Sequence, residues 1–362
     1  MRVLYLQQQP CIRTLKYAAG LRAVRADVTL GFAARGKTLT EFYGYGDELF
    51  DRWWALGDDP AADLPVIAEE FAPDLVHCHN LPDTLTVLAL DLLGGAVPVI
   101  HDVHDFQSLR ATPYEDGFPE PDADLFALER RAVQGADALV TVSDELLAEV
   151  EARHTLPPRV RVFGNYVLAG TLPATLPDPS RAANGSARIV YQGTLSTNGG
   201  HYDLRDIFCS LVAGGASVDV YPAREVGEYA ALAASTPGLT LHATLDPRDL
   251  LTELTGYDYG WAGFNTSVNA AHLHTVLPNK AFEYLGCGLP ILTLDHRALA
   301  RFVAEEGVGV RLPSADGVME GLRDLDLPAL RRRVAAARDR FTVEGRIGQI
   351  VQLYEEVRRS RS

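Results

Sequence analysis

His274-Thr275-Val276-Leu277-Pro278-Asn279-Lys280-Ala281-Phe282-Glu283-Tyr284-Leu285-Gly286-Cys287-Gly288-Leu289-Pro290-Ile291-Leu292 reads as loop, short helix, tight turn and buried strand. Proline suits the first helical position, where its missing N–H has no intrahelical partner to lose. Phe282 and Leu285 stand three apart on one face and pack inward, while Lys280 and Glu283, also three apart, point together the other way. Gly286 and Gly288 supply the open dihedrals needed to leave the helix. The apolar run from Leu289 to Leu294 then has the character of a central parallel strand.

The start of a helix carries unpaired N–H groups and a partial positive charge, which suits an anion. Lys280 adds a full charge there, and Glu283, one turn on, offers acceptors for two neighbouring hydroxyls. An anion site beside a diol site describes a nucleotide, with phosphates at the helix end and ribose at the carboxylate. The plainer reading is a solvated helix whose Lys–Glu pair contributes only about 0.2–0.5 kcal/mol.

Outward from this stretch, short apolar runs alternate with helical patterns. Val3 to Leu6, Val28 to Phe32, Leu75 to His79, Val97 to His101, Ala138 to Val142 and Val160 to Phe163 read as strands, separated by helices such as Ile12 to Arg25 and Asp144 to His154. Residues 38–60 read as irregular, and residues 105–120 as a loop rich in Pro, Gly and Asp. The rhythm breaks over residues 167–187, where Pro173, Pro177, Pro179, Asn184 and Gly185 suggest an interdomain linker. It restarts at Ile189 and continues through strands near residues 218, 239, 257, 289 and 309. The fold class is therefore α/β, with two doubly wound parallel-sheet domains and ligands at the carboxyl ends of their strands.

A net charge of −15 argues against a nucleic-acid partner. No apolar run approaches the roughly 20 residues of a membrane span, and the apolar start Met1–Leu6 reads as a first strand rather than a signal peptide. Cys11, Cys78, Cys209 and Cys287 lack metal-like spacing and fit reduced thiols in a cytoplasm. Only three lysines occur, Lys16, Lys37 and Lys280, so one retained at position 280 is mildly suggestive. The helix from Ile12 to Arg25 carries Arg13, Lys16, Arg22 and Arg25. A solvated face is the expectation, with weak peripheral contact to acidic lipid left open.

The block around Lys280 resembles the nucleotide-binding signature of the GT-B glycosyltransferases. It is similar to the retaining group often called family 4, in its variant reading Pro-Asn-Lys, Phe-Glu-Tyr, Gly-x-Pro: Pro278, Asn279, Lys280, Phe282, Glu283, Tyr284, Gly288 and Pro290 all match. The stretches Asp74–His79 with Leu81-Pro82, Ala136–Ser143 and Val162–Asn165 resemble further segments of that family. The resemblance implies an acceptor-binding, Rossmann-like domain at 1–166, the linker at 167–187 and a nucleotide-sugar-binding domain at 188–342. It also implies that the last helix, within 343–362, crosses back to the first domain. The implied activity moves a sugar from a nucleotide-diphosphate sugar to the hydroxyl of a small-molecule, glycan or natural-product acceptor, with retention. The nucleotide sugar is then a co-substrate, and no cofactor or metal is expected. A GT-B epimerase and an inactive partner subunit are the alternatives.

The family's histidine after the strand Val97 to His101 matches His104, at a strand end beside Asp105, where it would line the sugar; His101 is the weaker candidate. His77-Cys78-His79 has the spacing of a metal pair, with His101, Asp102 and His104 as further donors. Spacing of this kind over-predicts metals, and a histidine pair at a strand end is the preferred reading. His79 and Asn80, with Trp53 and Trp54, are the candidate acceptor groups, since aromatic faces suit sugars; a core role for the tryptophans is at least as well supported.

Gly193 and Thr194 end the strand that opens the second domain. The family's Arg/Lys pair that neutralises the diphosphate is missing from the residues after that strand. Gly199 and Gly200 offer close backbone approach in its place, and Arg205 and Lys280 are the nearby charges. Thr275 stands where the family carries a glutamate that contacts the sugar, so recognition there falls to neighbours such as His274.

Overall fold

The computed structural model describes residues 1–111, 124–179 and 186–360. The chain forms two compact units: Met1–Gly164 together with Val343–Ser362, and Asn165–Thr342.

The first unit is a seven-stranded parallel sheet built from β1 (Arg2–Gln7), β2 (Thr29–Ala34), β3 (Arg52–Ala55), β4 (Leu75–His79), β5 (Val99–Val103), β6 (Ala138–Thr141) and β7 (Val160–Val162), in the order β3-β2-β1-β4-β5-β6-β7. The order reverses between β1 and β4, and such a switch point opens a crevice at the strands' carboxyl ends. β1, β4, β5 and β6 are almost wholly buried, which explains their near-continuous apolar sequences. Into these strands the chain nevertheless places His77, His79, His101 and Asp102, all inaccessible to solvent.

The last helix, Gly348–Arg359, belongs to this unit. Its Ile350, Leu353, Tyr354 and Val357 are buried, and Arg161 pairs with Glu356 at 2.8 Å. The preceding turn packs on the first helix at Gly20, where an added Cβ would lie 2.6 Å from Val343.

The second unit has six parallel strands, β8 (Arg188–Gly193), β9 (Ser217–Pro222), β10 (Leu239–Leu241), β11 (Tyr259–Trp261), β12 (Ile291–Thr293) and β13 (Gly309–Arg311), ordered β10-β9-β8-β11-β12-β13. Its switch point lies between β8 and β11.

Several local expectations are corrected. Pro278 is the residue before the helix Asn279–Gly286, not its first member, with extended φ −73° and ψ 150°. Gly288 does take a left-handed φ of 77° to leave the helix, but Gly286 remains helical. Gly286 is small because Leu172 presses on it: an added Cβ would lie 2.3 Å from that side chain. Leu172 and Leu176 thus tie the described part of the expected linker to the second unit; Asn184 and Gly185 lie outside the described residues. Residues 38–60 are not irregular, since they hold a capped helix Leu39–Tyr43 and β3. Of the loop 105–120, only residues 105–111 are described.

The helix Ile12–Val24 does not present a solvated basic face. Arg13 and Lys16 are buried, Arg22 binds Asp51 at 2.6 Å, and Arg25 binds Asp27 and Glu355. Arg13, Arg22 and Arg25 neutralise carboxylates of the same unit and leave little for a lipid surface. No helix among the described residues is long and apolar enough to cross a membrane.

Candidate functional site

In the second unit, the helix Asn279–Gly286 lies against the carboxyl ends of β8 and β11. Tyr284 anchors it: its hydroxyl donates to the Trp261 carbonyl at 3.1 Å and accepts the Gln192 N–H at 3.1 Å. Its ring rests on Gly260 of β11, where a Cβ would come within 2.3 Å. Ala281, Phe282, Tyr284 and Leu285 are all buried, so the helix is held on several sides.

Lys280 does not point out beside Glu283 as expected; it is buried. Its Nζ sits 3.9 Å from the centre of the Tyr191 ring and 5.3 Å from that of Phe264, between groups contributed by β8 and by the segment after β11. This is the switch point. The Nζ atom has no hydrogen-bond partner. Over it passes Gly193, with φ 125°, whose absent Cβ would stand 3.5 Å from the amine. A backbone bare of side chain above a buried, unpartnered amine makes a cradle for an anion. Burial pushes the Lys280 amine down to about 7, against the pull of Glu283. The ring faces favour the ammonium, so the charged and neutral forms are balanced near neutrality.

Glu283 is partly exposed and accepts a short hydrogen bond from the Gln192 side chain. This fixes one oxygen and leaves the other to receive a hydroxyl pair. Gln192, Tyr191 and Phe264 are not legible as site residues in the sequence; their proximity to the helix depends on strand order, which local motifs do not encode.

The loop after β8 is closed on itself. The Gly199 N–H donates to Asp203 at 3.0 Å and the Gly200 N–H to Asn198 at 2.9 Å, so neither is free to approach a phosphate. Arg205 is gripped by both oxygens of Asp203, at 2.9 and 2.6 Å, and by the Thr197 carbonyl. The Thr194 carbonyl accepts from the Tyr191 hydroxyl at 2.6 Å. Thr275 is buried and donates to the His272 carbonyl at 2.8 Å, closing a turn. His274 accepts the Arg297 N–H at Nδ1, 3.2 Å, and its carbonyl accepts from Ala298, which stitches the loop to the helix Arg297–Glu306. Lys280 is therefore the one expected phosphate cation, among the described residues, that the second unit leaves without a carboxylate at hydrogen-bond distance.

The first unit gathers a second cluster at its own switch point. Asp102 accepts from Arg13 Nε at 2.8 Å and from the Tyr17 hydroxyl at 2.7 Å, and Arg13 also donates to Tyr17 at 2.9 Å. Burial alone would raise the Asp102 carboxyl, but the Arg13 guanidinium holds it well below the usual range. His104 Nδ1 lies 3.5 Å from Asp102 and its side chain stays 20% exposed, so it alone of this histidine group reaches solvent. His77 Nε2 stands 3.6 Å from Asp102, and its Nδ1 meets the Tyr354 hydroxyl at 2.6 Å.

His79 stacks on His77 with ring centres 4.7 Å apart, and neither of its nitrogens has a hydrogen-bond partner. Burial lowers both imidazoles below their ordinary value, His79 well below, so both are neutral. His101 points to the opposite face, as strand alternation requires, with Nδ1 2.9 Å from Thr86 and Nε2 3.4 Å from Asp83. Asn80 uses its carboxamide on backbone, accepting from the His104 N–H at 3.1 Å and donating to the Asp105 carbonyl. It shapes the His104 loop and has little left for an acceptor.

His77, His79 and Asp102 place ligand atoms within 4.8 Å of one another. The Arg13 and Tyr17 donors already occupy both Asp102 oxygens, and a guanidinium 2.8 Å away opposes a further cation. Trp53 and Trp54 do not join this cluster. As neighbours on the edge strand β3 they face opposite sides: Trp53 packs edge-on against Phe32 at 4.5 Å, while Trp54 bonds Glu70 at 3.0 Å and packs on Phe71. Facing opposite sides, they do not form one shared aromatic platform.

Residues 12–166 match the family model of the glycosyl transferase 4-like domain. The match lies almost entirely within the first unit, and comparison with curated proteins gives no match. Among solved structures, sucrose-phosphate synthase from Thermosynechococcus elongatus is similar with a TM-score of 0.70 at 14% identity, over 99% of this chain and 100% of that one. The Anabaena protein HepE in complex with UDP gives 0.66 at 14% identity, over 98% and 100%. A glycosyltransferase from Rickettsia africae gives 0.65 at 12% identity, over 98% of both. The fold, two parallel-sheet α/β units, is that of GT-B glycosyltransferases.

Proposed function

We propose that the chain is a glycosyltransferase that takes its sugar from a nucleotide-diphosphate donor and transfers it to an acceptor hydroxyl. The observation that carries this reading is the buried, unpartnered Lys280 amine beneath the bare backbone of Gly193, beside the Gln192-held carboxylate of Glu283. In this reading Lys280 receives the departing diphosphate, where charge develops and stabilisation matters most. Glu283 takes the ribose hydroxyls. His104, with Asp102 behind it and one edge in solvent, serves the sugar and acceptor side. The glycosyl transferase 4-like match and the UDP complex of a similar fold support the donor class. Retention at the anomeric carbon, by front-face attack without a protein nucleophile, rests on the sequence resemblance, and a cytoplasmic location on the four cysteines, none of them in a disulfide.

One observation favours a second reading, a partner subunit that binds the donor without turnover. Arg205 and the N–H groups of Gly199 and Gly200 are committed within their own loop, leaving Lys280 to neutralise a diphosphate alone. Incubation with a panel of nucleotide sugars, with release of nucleoside diphosphate as the readout, separates the two. Slow donor hydrolysis is the result expected of the transferase. Tight binding without release would establish the partner subunit, release with an isomerised sugar an epimerase, and absence of binding would remove the donor site.

A further inference from the structure

We propose that the donor site binds its diphosphate together with one proton, taken from solvent by the buried amine of Lys280. This rests on the reading of Lys280 as the diphosphate cation. The geometry carries it. Nζ lies in an apolar slot, with the Tyr191 ring on one side, Phe264 on another and the Gly193 backbone above, and no hydrogen-bond acceptor reaches it.

An ammonium in such a slot lacks the partner that would hold its charge. From its own helix the one charged group acting on it is Glu283, whose carboxylate Gln192 already engages. From β8 it faces Tyr191, whose phenol burial keeps neutral, and the uncharged Gln192 and Gly193. From the segment after β11 it faces Phe264. The empty site therefore holds much of the lysine as free amine at pH 7 and above, consistent with a value of about 7. A diphosphate brings the missing counter-charge, which favours the ammonium. The amine nitrogen gains one proton from the buffer, no covalent bond changes, and the ligand's charge is met by a cation that formed on its arrival.

Titration calorimetry tests this with UDP, GDP, ADP and dTDP at pH 8.0, where free diphosphates are essentially fully ionised. Repeating the titration in buffers of different ionisation enthalpy gives the protons taken up per ligand bound. The expected result is uptake approaching one proton, and none for the parent nucleoside. Lys280→Arg, whose guanidinium does not titrate, is expected to bind with the uptake abolished; uptake persisting there would assign the proton to another group and overturn the proposal.

Because the chain has three lysines, protein labelled with 13C at the lysine ε-carbon gives a direct second reading on the unmodified sequence. One of three signals should titrate near neutrality and shift to the charged form when diphosphate is added. Binding without proton uptake, and with that signal already charged in the free protein, would refute this inference while leaving the donor site intact. No binding of any nucleotide would refute both.

Discussion

The hydroxyl of Tyr354, on the last helix, lies 2.6 Å from Nδ1 of His77 and 3.0 Å from the hydroxyl of Tyr5. It satisfies a neutral imidazole that is fully buried. Tyr354→Phe leaves that nitrogen unpaired in the core and should lower stability by about 1–3 kcal/mol. A urea unfolding midpoint unchanged from wild type would show that His77 finds another partner.

Arg13 and Asp102 form a pair with both members almost inaccessible, at 4% and 0% exposure. Arg13→Met strands the carboxylate, and a loss of about 3–5 kcal/mol is expected. Arg13→Met combined with Asp102→Leu should recover part of that loss, because the uncompensated charge is gone. Equal stability of the single and double variants in guanidinium denaturation would contradict the assignment.

Glu283→Ala should weaken nucleoside diphosphate binding by about 1–3 kcal/mol if the carboxylate carries charge-assisted hydrogen bonds to ribose. Gln192→Leu, which frees the carboxylate to turn, is expected to act in the same direction by a smaller amount. Calorimetry reads both, and unchanged affinity in Glu283→Ala removes the ribose role.

Lys280→Met should stabilise the fold by about 1–3 kcal/mol at pH 7 while abolishing tight diphosphate binding, since functional groups buried without partners cost stability. The sign with pH comes from an amine near 7 in the fold and an ordinary value near 10.4 in the unfolded chain. Between those limits the unfolded chain holds more protons, so wild-type stability gains from this group as pH rises from about 7 to about 10. The gap between variant and wild type should narrow over that interval. A gap independent of pH in thermal denaturation would mean that the amine does not titrate there.

Gly286→Ala drives a methyl group into Leu172, 2.3 Å from the position of its Cβ. A cost of about 1–3 kcal/mol is expected from the forced displacement. Leu172→Ala in the same chain should relieve the clash, which a double-mutant cycle in urea detects as coupling.

The alternation of apolar runs is enough to read both sheets except β3, because buried parallel strands leave a nearly continuous apolar trace, whereas the half-exposed edge strand Arg52–Ala55 does not. The strand-end placement of His104 is legible for the same reason. The direction of Lys280 is not. Helical spacing pairs it with Glu283, whereas Tyr191 and Phe264, 89 and 16 positions before it in sequence, supply the slot that draws it inward. Asp102 carries a usable signal: a carboxylate inside Val99-Ile100-His101-Asp102-Val103 must have a cation, and Arg13 is available on the first helix. The tryptophans mislead because adjacency in a strand separates side chains onto opposite faces. Gly199 and Gly200 mislead because flexible backbone does not mean free N–H groups, and Asp203 and Asn198 have taken those.

The unit that begins at Met1 is finished by the segment from Val343 onward. During translation, its sheet strands leave the ribosome before the second unit, yet Tyr354, which caps the polar interior at His77 and Tyr5, is made after the whole of Asn165–Thr342. Nascent chains usually complete their domains in order from the amino end. Here the continuous second unit is the first that can close, and the earlier-made half waits with unsealed histidines until the segment from Val343 has been made. A stop codon placed just before residue 343 would thus damage the unit of Met1–Gly164 rather than the unit of Asn165–Thr342 that directly precedes it.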